Sequence, residues 1–328
     1  MSYCYRVLLF SLLFFGAAAV QAEVLCPTRS LDLQGAIAEP LELSGITIWR
    51  DLMIVCPDEG AEFNVFKDNS EHELLSTVNL LDGGDEEIDM EAAASDAEHI
   101  YIIGSHSIRR RLVDPERTYR QNRRRLSRVV PHTESYRLFR IQLDDAGQLA
   151  AKESIDLRDI LENDEILGPF LSVPGKENGI DIEGIAVKNG KLFVGFRGPV
   201  LRGNFVPVLA FRFDEPDDYE LLFMQLGGRG IRDLVAVEDG FLIVAGAIGD
   251  GDASYQLCLW NGEDGVPGEG GWDSQIVKLG ELATELGIKP EGLAVSAETA
   301  NEWRLLVVND GDASATEWIV SKPEKVEQ

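Results

Sequence analysis

The chain has 328 residues, 45% of them hydrophobic and 27% charged, and a formal net charge of −27. Length and apolar content together allow a large buried core and exclude a disordered chain. The negative charge is unevenly spread, because one short stretch is strongly basic.

The first 22 residues read as a leader. Arg6 precedes an apolar run from Val7 to Val20, and Val20-Gln21-Ala22 puts small residues at the minus-three and minus-one positions of a cleavage site. A secretory signal peptide cut after Ala22 is expected, and with it an exported protein, periplasmic or secreted. The run falls short of the roughly 20 apolar residues that a membrane-spanning helix needs, and no later stretch is long enough. No transmembrane segment is therefore expected after cleavage, and residues 23 to 328 are expected to form a single domain. Of four cysteines, Cys4 leaves with the leader; Cys26, Cys56 and Cys258 remain, an odd number for an oxidising compartment. Whether any two of them pair stays open. Cys56 and Cys258 read best as buried thiols acting as small hydrophobes.

A hairpin then recurs along the chain. In its clearest copy, residues 180 to 199, two apolar-rich runs flank Asn189-Gly190, a dipeptide suited to the positive φ angles of a type I′ turn. Glu183 stands where the first of these strands begins. The equivalent anchors are Ser44, Glu91, Glu183, Asp233 and Glu291, and three residues after them come Thr47, Ala94, Ala186, Ala236 and Ala294. In four copies the turn falls six and seven residues past the anchor, at Arg50-Asp51, Ala97-Glu98, Asn189-Gly190 and Asp239-Gly240; the fifth has a longer turn from Glu298 to Asn301.

Further runs supply a third strand per unit (Glu62 to Lys67, Tyr136 to Leu143, Val208 to Phe213, Tyr255 to Trp260, Thr316 to Ser321). A fourth strand comes from Leu75 to Leu80, Glu153 to Leu157, Leu221 to Leu226 and Gln275 to Leu279. The last unit lacks its fourth strand, and an orphan run from Arg29 to Gln34 can provide it. Tandem four-stranded units closed in a circle make an all-β fold, a β-propeller of five four-stranded blades sealed by the N-terminal strand. Six blades is the alternative, because the interval from Glu91 to Glu183 is long enough to hold another.

That interval contains the basic stretch, an insertion from Ile108 to about Glu134. Within the 20 residues from Arg109 to Arg128, nine arginines (Arg109, Arg110, Arg111, Arg117, Arg120, Arg123, Arg124, Arg125, Arg128) meet only Asp114 and Glu116, a net of +7. The rest of the mature chain then carries about −35. Arg117, Arg120, Arg124 and Arg128 keep helical spacing, which predicts a short helix. An anionic partner could dock on it, although the arm is expected to fold onto its own acidic body. No specific nucleic acid is expected, since Tyr119 is the one aromatic residue among the arginines.

Four stretches, Gly104 to Arg110, Asp181 to Ala186, Phe196 to Gly203 and Lys289 to Ala294, together resemble those of a bacterial family catalogued as domain of unknown function 3616. The resemblance spans roughly Leu43 to Val320. It implies a propeller and no established activity, so no catalytic residue transfers from it.

Site chemistry must come from the ring geometry. The first strand of each blade lines the axis, which places Glu91, Glu183, Asp233 and Glu291 at one level of the channel mouth with Ser44. The hairpin partners would bring Asp58, Glu59, Ser105, His106, Arg197 and Asp310 nearby. Clustered carboxylates repel, so they bind a cation, share protons or pair with arginine. Oxygen ligands without thiolates favour calcium or magnesium, and Glu91, Glu183, Asp233, Glu291, Asp58 and Asp310 are the candidate metal ligands. Internal neutralisation by Arg197 and Arg232 is the competing reading. A module binding a cation or small ligand through Glu91, Glu183, Arg197, Asp233 and Glu291 is expected first. A calcium-dependent hydrolase of ester, lactone or phosphoester bonds, with His106 or a carboxylate as base and Arg197 steadying an anion, is the alternative. Two loops, 249 to 254 and 309 to 314, resemble cation loops but lack the distal acid of a calcium hand and read as Asp-Gly turns.

Overall fold

Runs such as Leu52–Pro57, buried at every residue, can only be strands covered on both faces. In the computed structural model, which describes residues 23–69, 71–81, 86–251, 253–268, 274–284 and 287–324, such strands form five radial blades. The expected leader lies outside the described residues. From the axis outward, blade I contains Leu43–Trp49, Leu52–Pro57, Glu62–Lys67 and Leu74–Asn79. Blade II contains Met90–Ser95, Ile100–Gly104, Leu138–Leu143 and Leu149–Ile155, and blade III contains Asp181–Lys188, Lys191–Gly198, Phe205–Arg212 and Glu215–Gln225. Blade IV contains Gly230–Val237, Gly240–Gly246, Gln256–Trp260 and Ile276–Leu282; blade V contains Lys289–Glu298, Glu302–Asp310 and Ser314–Ser321. Each innermost strand touches the innermost strand of the next blade, and blade V returns to blade I.

The ring is closed by Arg29–Asp32, which pairs antiparallel with Ser314–Ser321 as the fourth strand of blade V. Arg29 Nη2 lies 3.0 Å from Glu317 Oε1 across that seam. A second N-terminal piece, Val24–Leu25, adds a parallel fifth strand to blade IV; two residues carry no periodicity and gave no sequence signal. The interval between Glu91 and Glu183 hides no extra blade. After blade II it holds the short helix Arg158–Asn163 and irregular turns.

Five apolar clusters hold the ring, one in each cleft between neighbouring blades. Trp260 fills the cleft of blades III and IV, and Trp303 and Trp318 fill that of blades IV and V. Because every sheet face is covered by the next sheet, stability comes from burial between units. Cys56 and Cys258 sit inside blades as free thiols, and burial pushes the Cys258 thiol up to about 11; Cys26 is free and exposed.

Blade IV departs from the expected register by one residue. Val237 pairs with Gly240, so its turn is Glu238-Asp239, whereas Trp49 pairs with Leu52 and Lys188 with Lys191 around the expected Arg50-Asp51 and Asn189-Gly190. Gly240 is a glycine for another reason: a Cβ there would stand 2.0 Å from the Trp260 carbonyl oxygen. Blade II turns through Asp96 to His99 because Ser95 pairs with Ile100.

The basic insertion is a short ribbon, Ile108–Arg110 against Val129–Pro131, carrying the expected helix at Tyr119–Leu126. Thr118 and Gln121 form a reciprocal cap at its start, and Arg123, Arg124 and Arg125 lie in its last turn, where the helix dipole favours positive charge.

Candidate functional site

On each innermost strand the pairing skips one residue near the start, and the skipped residues are Ser44, Glu91, Glu183, Arg232 and Glu291. Such bulges re-aim a side chain. In blade III the second strand skips Arg197 as well, bringing it level with Glu183. The ring member of blade IV is thus Arg232, and the expected Asp233 is displaced. The six-residue spacing from anchor to turn holds in blade IV once it is counted from Arg232 to Glu238.

Charge is distributed unequally around this mouth. On one side, Arg197 Nη1 pairs with Glu183 and lies 3.7 Å from Asp181 Oδ2, while its Nε donates to the Ile248 carbonyl at 2.6 Å. Arg232 bridges two blades, with Nη1 2.9 Å from Glu183 Oε2 and Nη2 on Glu291. All five side chains are buried. Burial works against the Arg232 charge, but Glu183 and Glu291 more than offset it and hold its pKa above the usual range. Asp181, raised by burial and then by Glu183, is brought back only partly by Arg197 and stands at about 7.

The opposite side is short of cations. Glu91 receives the Ser44 hydroxyl at 3.2 Å, and burial followed by Asp89, Glu183, Asp58 and Asp181 pushes its carboxyl well up. Asp58 is raised to about 8 by burial and then by Asp89, Glu42, Glu291 and Asp310; its Oδ1 has no hydrogen-bond partner among the described residues. Asp89 is the exception there, since Arg109 and the Ser105 hydroxyl both reach it. Six carboxyl groups (Asp58, Asp89, Glu91, Asp181, Glu183, Glu291) therefore face three guanidinium groups. Glu91 and Asp58 are also the half-exposed members, so the unpaired side is the open side.

Below this level Asp233 ties the inner strands of three blades together. Its carboxylate accepts the backbone N–H of Leu293 at 2.6 Å and of Leu234 at 2.7 Å, and the N–H of Ile185 also bonds to it. A group that reaches the inner strands of blades III, IV and V lies inside the ring they enclose. The position after the bulge is Gly45, Ala92, Gly184 or Gly292 in the other blades, where adjacent strands come too close for a larger side chain. A chamber of about 180 Å³ is lined by residues of all five inner strands, among them Thr47, Ala94, Ala186, Ala236 and Ala294. The repeated small residues in the sequence thus form part of its wall, together with larger apolar side chains such as Ile185 and Val235.

The family model for Protein of unknown function (DUF3616) matches residues 42–319. The chain belongs to that family. No curated protein sequence matches it. Among solved structures it is similar to the glutaminyl cyclase of Myxococcus xanthus, with 13% identity, 92% of this chain and 100% of that chain covered, and a TM-score of 0.48. It is also similar to the hydrazine synthase of Kuenenia stuttgartiensis, with 9% identity, 89% and 68% coverage and a TM-score of 0.40. A third is a DUF4623 family protein from Bacteroides eggerthii, with 10% identity, 87% and 72% coverage and a TM-score of 0.39.

Within this DUF3616 propeller some expected site residues are not brought together. His106 is turned away from the mouth: its Nδ1 bonds the Gly104 carbonyl at 2.8 Å, its ring lies 6.1 Å from Tyr136, and burial lowers its pKa to about 4. Ser105 and Ser107 point the other way, toward Asp89. These residues lie between strands, and the backbone turn at His106, φ +54, sends its ring away from the two serines, which leaves a carboxylate as the candidate base of the hydrolase reading. Asp310 lies on the rim, paired with Lys289. The loop around it is an ordinary turn, with Gly311 at positive φ and the Asp312 carboxylate accepting from Ser314; the loop at 249 to 254 falls partly outside the described residues.

Asp89 and Asp181 were missed, although each precedes a ring glutamate by two residues (Asp89-Met90-Glu91 and Asp181-Ile182-Glu183), a spacing that puts both acids on one strand face. Glu87, Asp89 and His132 offer ligand atoms within 4.8 Å of one another, but Arg109 already occupies both acids.

Proposed function

We propose that the mouth binds a cation on its open side, between Glu91 and Asp58, with the arginine-locked side acting as a rigid frame. The observation that carries this reading is the unequal pairing: Arg197 and Arg232 form ion pairs with Asp181, Glu183 and Glu291, whereas the Glu91 carboxylate accepts only a hydroxyl and feels Arg109 without an ion pair to it. A group that is driven to keep its proton for want of an ion pair will exchange that proton for a cation. Carboxylate and hydroxyl oxygens suit calcium or magnesium, and equally a compact organic ammonium. This modifies the sequence expectation of a full metal ring, because Glu183 and Glu291 already have partners and Asp233 is spent on backbone amides.

Export belongs to the same reading. Among the described residues Glu23 is the first engaged in the sheets, accepting the Glu281 N–H at 2.8 Å, so cleavage after Ala22 would leave the described strands intact. Binding is tested by thermal unfolding with calcium and, separately, with putrescine. Either ligand should raise the melting temperature of the wild type, by an amount equivalent to about 2.7 kcal/mol at a hundredfold excess over Kd. The Asp58→Asn/Glu91→Gln protein should show no rise, and Arg197→Ala should keep it. A wild type indifferent to both ligands overturns the reading.

A further inference from the structure

We propose that the basic arm is a docking surface for the anionic headgroups of a lipid bilayer, a role independent of the mouth. Among the described residues the arm is tied to the body at its base, where Arg109 reaches Glu87 and Asp89, and Arg110 Nη2 donates to Glu177 at 2.9 Å. Farther out, Arg117 pairs with Asp114 at 2.7 Å inside the arm, and Arg125 donates to the Leu112 carbonyl. Arg111, Arg120, Arg123, Arg124 and Arg128 are exposed and have no carboxylate partner among the described residues. Most of the arm's charge is thus left facing solvent, contrary to the expectation that it folds onto the acidic body.

A second feature selects the partner. The helix Tyr119–Leu126 has no buried residue, and Tyr119, Leu112, Val113 and Leu126 are 79%, 72%, 52% and 46% exposed. Asn122 exchanges hydrogen bonds with the Asp114 backbone at 2.9 and 3.0 Å, which holds the loop of Leu112 and Val113 against the helix. Apolar and cationic side chains therefore share one surface. A polysaccharide or a nucleic acid would neutralise the arginines and leave the leucines and valine in water. The headgroup region of an anionic bilayer accepts both, taking the charges at the phosphates and the apolar groups among the upper acyl chains. The acidic body is repelled by such a surface, so contact is confined to the arm; repulsion beyond about 8 Å is screened at physiological salt.

The test is co-sedimentation of the chain from Glu23 with phosphatidylglycerol vesicles, phosphatidylcholine vesicles and, as competitor, dextran sulfate. The wild type should bind the anionic vesicles and not the neutral ones, and lose binding in high salt. Arg120→Gln/Arg123→Gln/Arg124→Gln, which alters no body contact, should weaken the partition by more than roughly tenfold. Leu112→Ser/Val113→Ser should weaken vesicle binding but not dextran sulfate binding. Three outcomes overturn the proposal: equal binding to neutral vesicles, no effect of the arginine changes, or a Leu112/Val113 variant that binds vesicles like the wild type, which would mark a site for soluble polyanions. Unchanged melting temperatures in both variants show that the fold is intact.

Discussion

Blades III and IV begin with similar strands, Glu-Gly-Ile-Ala-Val and Asp-Leu-Val-Ala-Val, and end in opposite electrostatic roles. In blade III the bulged residue is Glu183, which projects into the mouth and gathers two guanidinium groups. In blade IV the bulge falls one residue earlier, so Arg232 enters the mouth and Asp233 turns down to cap three backbone amides. A one-residue slip moves every side chain of a strand to its other face. Here it sets one base, Arg232, between the acids of blades III and V, which would otherwise repel.

The largest effect should follow removal of the residue that makes this difference. Arg232→Ala leaves Glu183 and Glu291 buried without their shared cation, and breaking a buried pair this way costs about 3 to 5 kcal/mol. Urea unfolding should show that loss, and Glu291→Gln in the same background should restore part of it. An Arg232→Ala protein as stable as the wild type would mean that the two blades are not electrostatically coupled. Asp233→Ala, which strands three amides, should cost about 2 to 3 kcal/mol, and Asp233→Asn should cost less because one acceptor remains.

A smaller effect distinguishes the two sides of the mouth by pH. Asp181 at about 7 and Asp58 at about 8 hold protons in the fold that the unfolded chain releases near pH 4. The folded state therefore binds more protons in that window. The stability these groups contribute is complete below pH 4 and is lost as pH rises through 7 and 8. Buried His106, at about 4, acts in the opposite sense only between about 4 and 6.5, and the buried cysteines add a fall only as pH nears 9, so melting temperatures from pH 6.5 to 8 report chiefly the carboxyl groups. Stability should fall over that range, and Asp58→Asn should flatten the fall more than any change on the arginine-locked side.

Two glycines give the smallest and most discriminating comparison. Gly190, at φ +73 in the turn of blade III, should lose only about 1 kcal/mol on replacement by alanine. Gly240→Ala must also move the Trp260 carbonyl and should cost clearly more. Equal losses would return Gly240 to a turn and Asp233 to the mouth.

That pair of glycines also explains what the sequence could disclose. Strand periodicity, the repeat spacing and the missing last strand were sufficient for the fold, because each reflects local chemistry or a count. The site was half legible: Glu91, Glu183, Glu291 and Arg197 converge as expected. Blade IV offered two self-consistent readings, Asp233 with Asp239-Gly240 or Arg232 with Glu238-Asp239, and only the approach of Gly240 to Trp260 decides between them. His106 turns away for a local reason that its sequence neighbours do not announce, a positive φ of +54 between two strands. The pairing of Arg232 with two blades is a tertiary fact that no single repeat contains.

The seam between Arg29–Asp32 and Ser314–Ser321 also sets an order of events during synthesis. The residues that complete the last blade are made before the other blades and their partners after them, so the joint cannot form until Ser314–Ser321 has emerged. Blades I to III can assemble from neighbouring segments as they appear, whereas closure brings together positions nearly 290 residues apart, such as Thr28 and Glu317. Contacts of such long sequence separation are slow to form. Until then the outer edge of blade V stays unpaired, and a nascent chain halted before Ser314 would hold an open arc of blades with a free strand at its start.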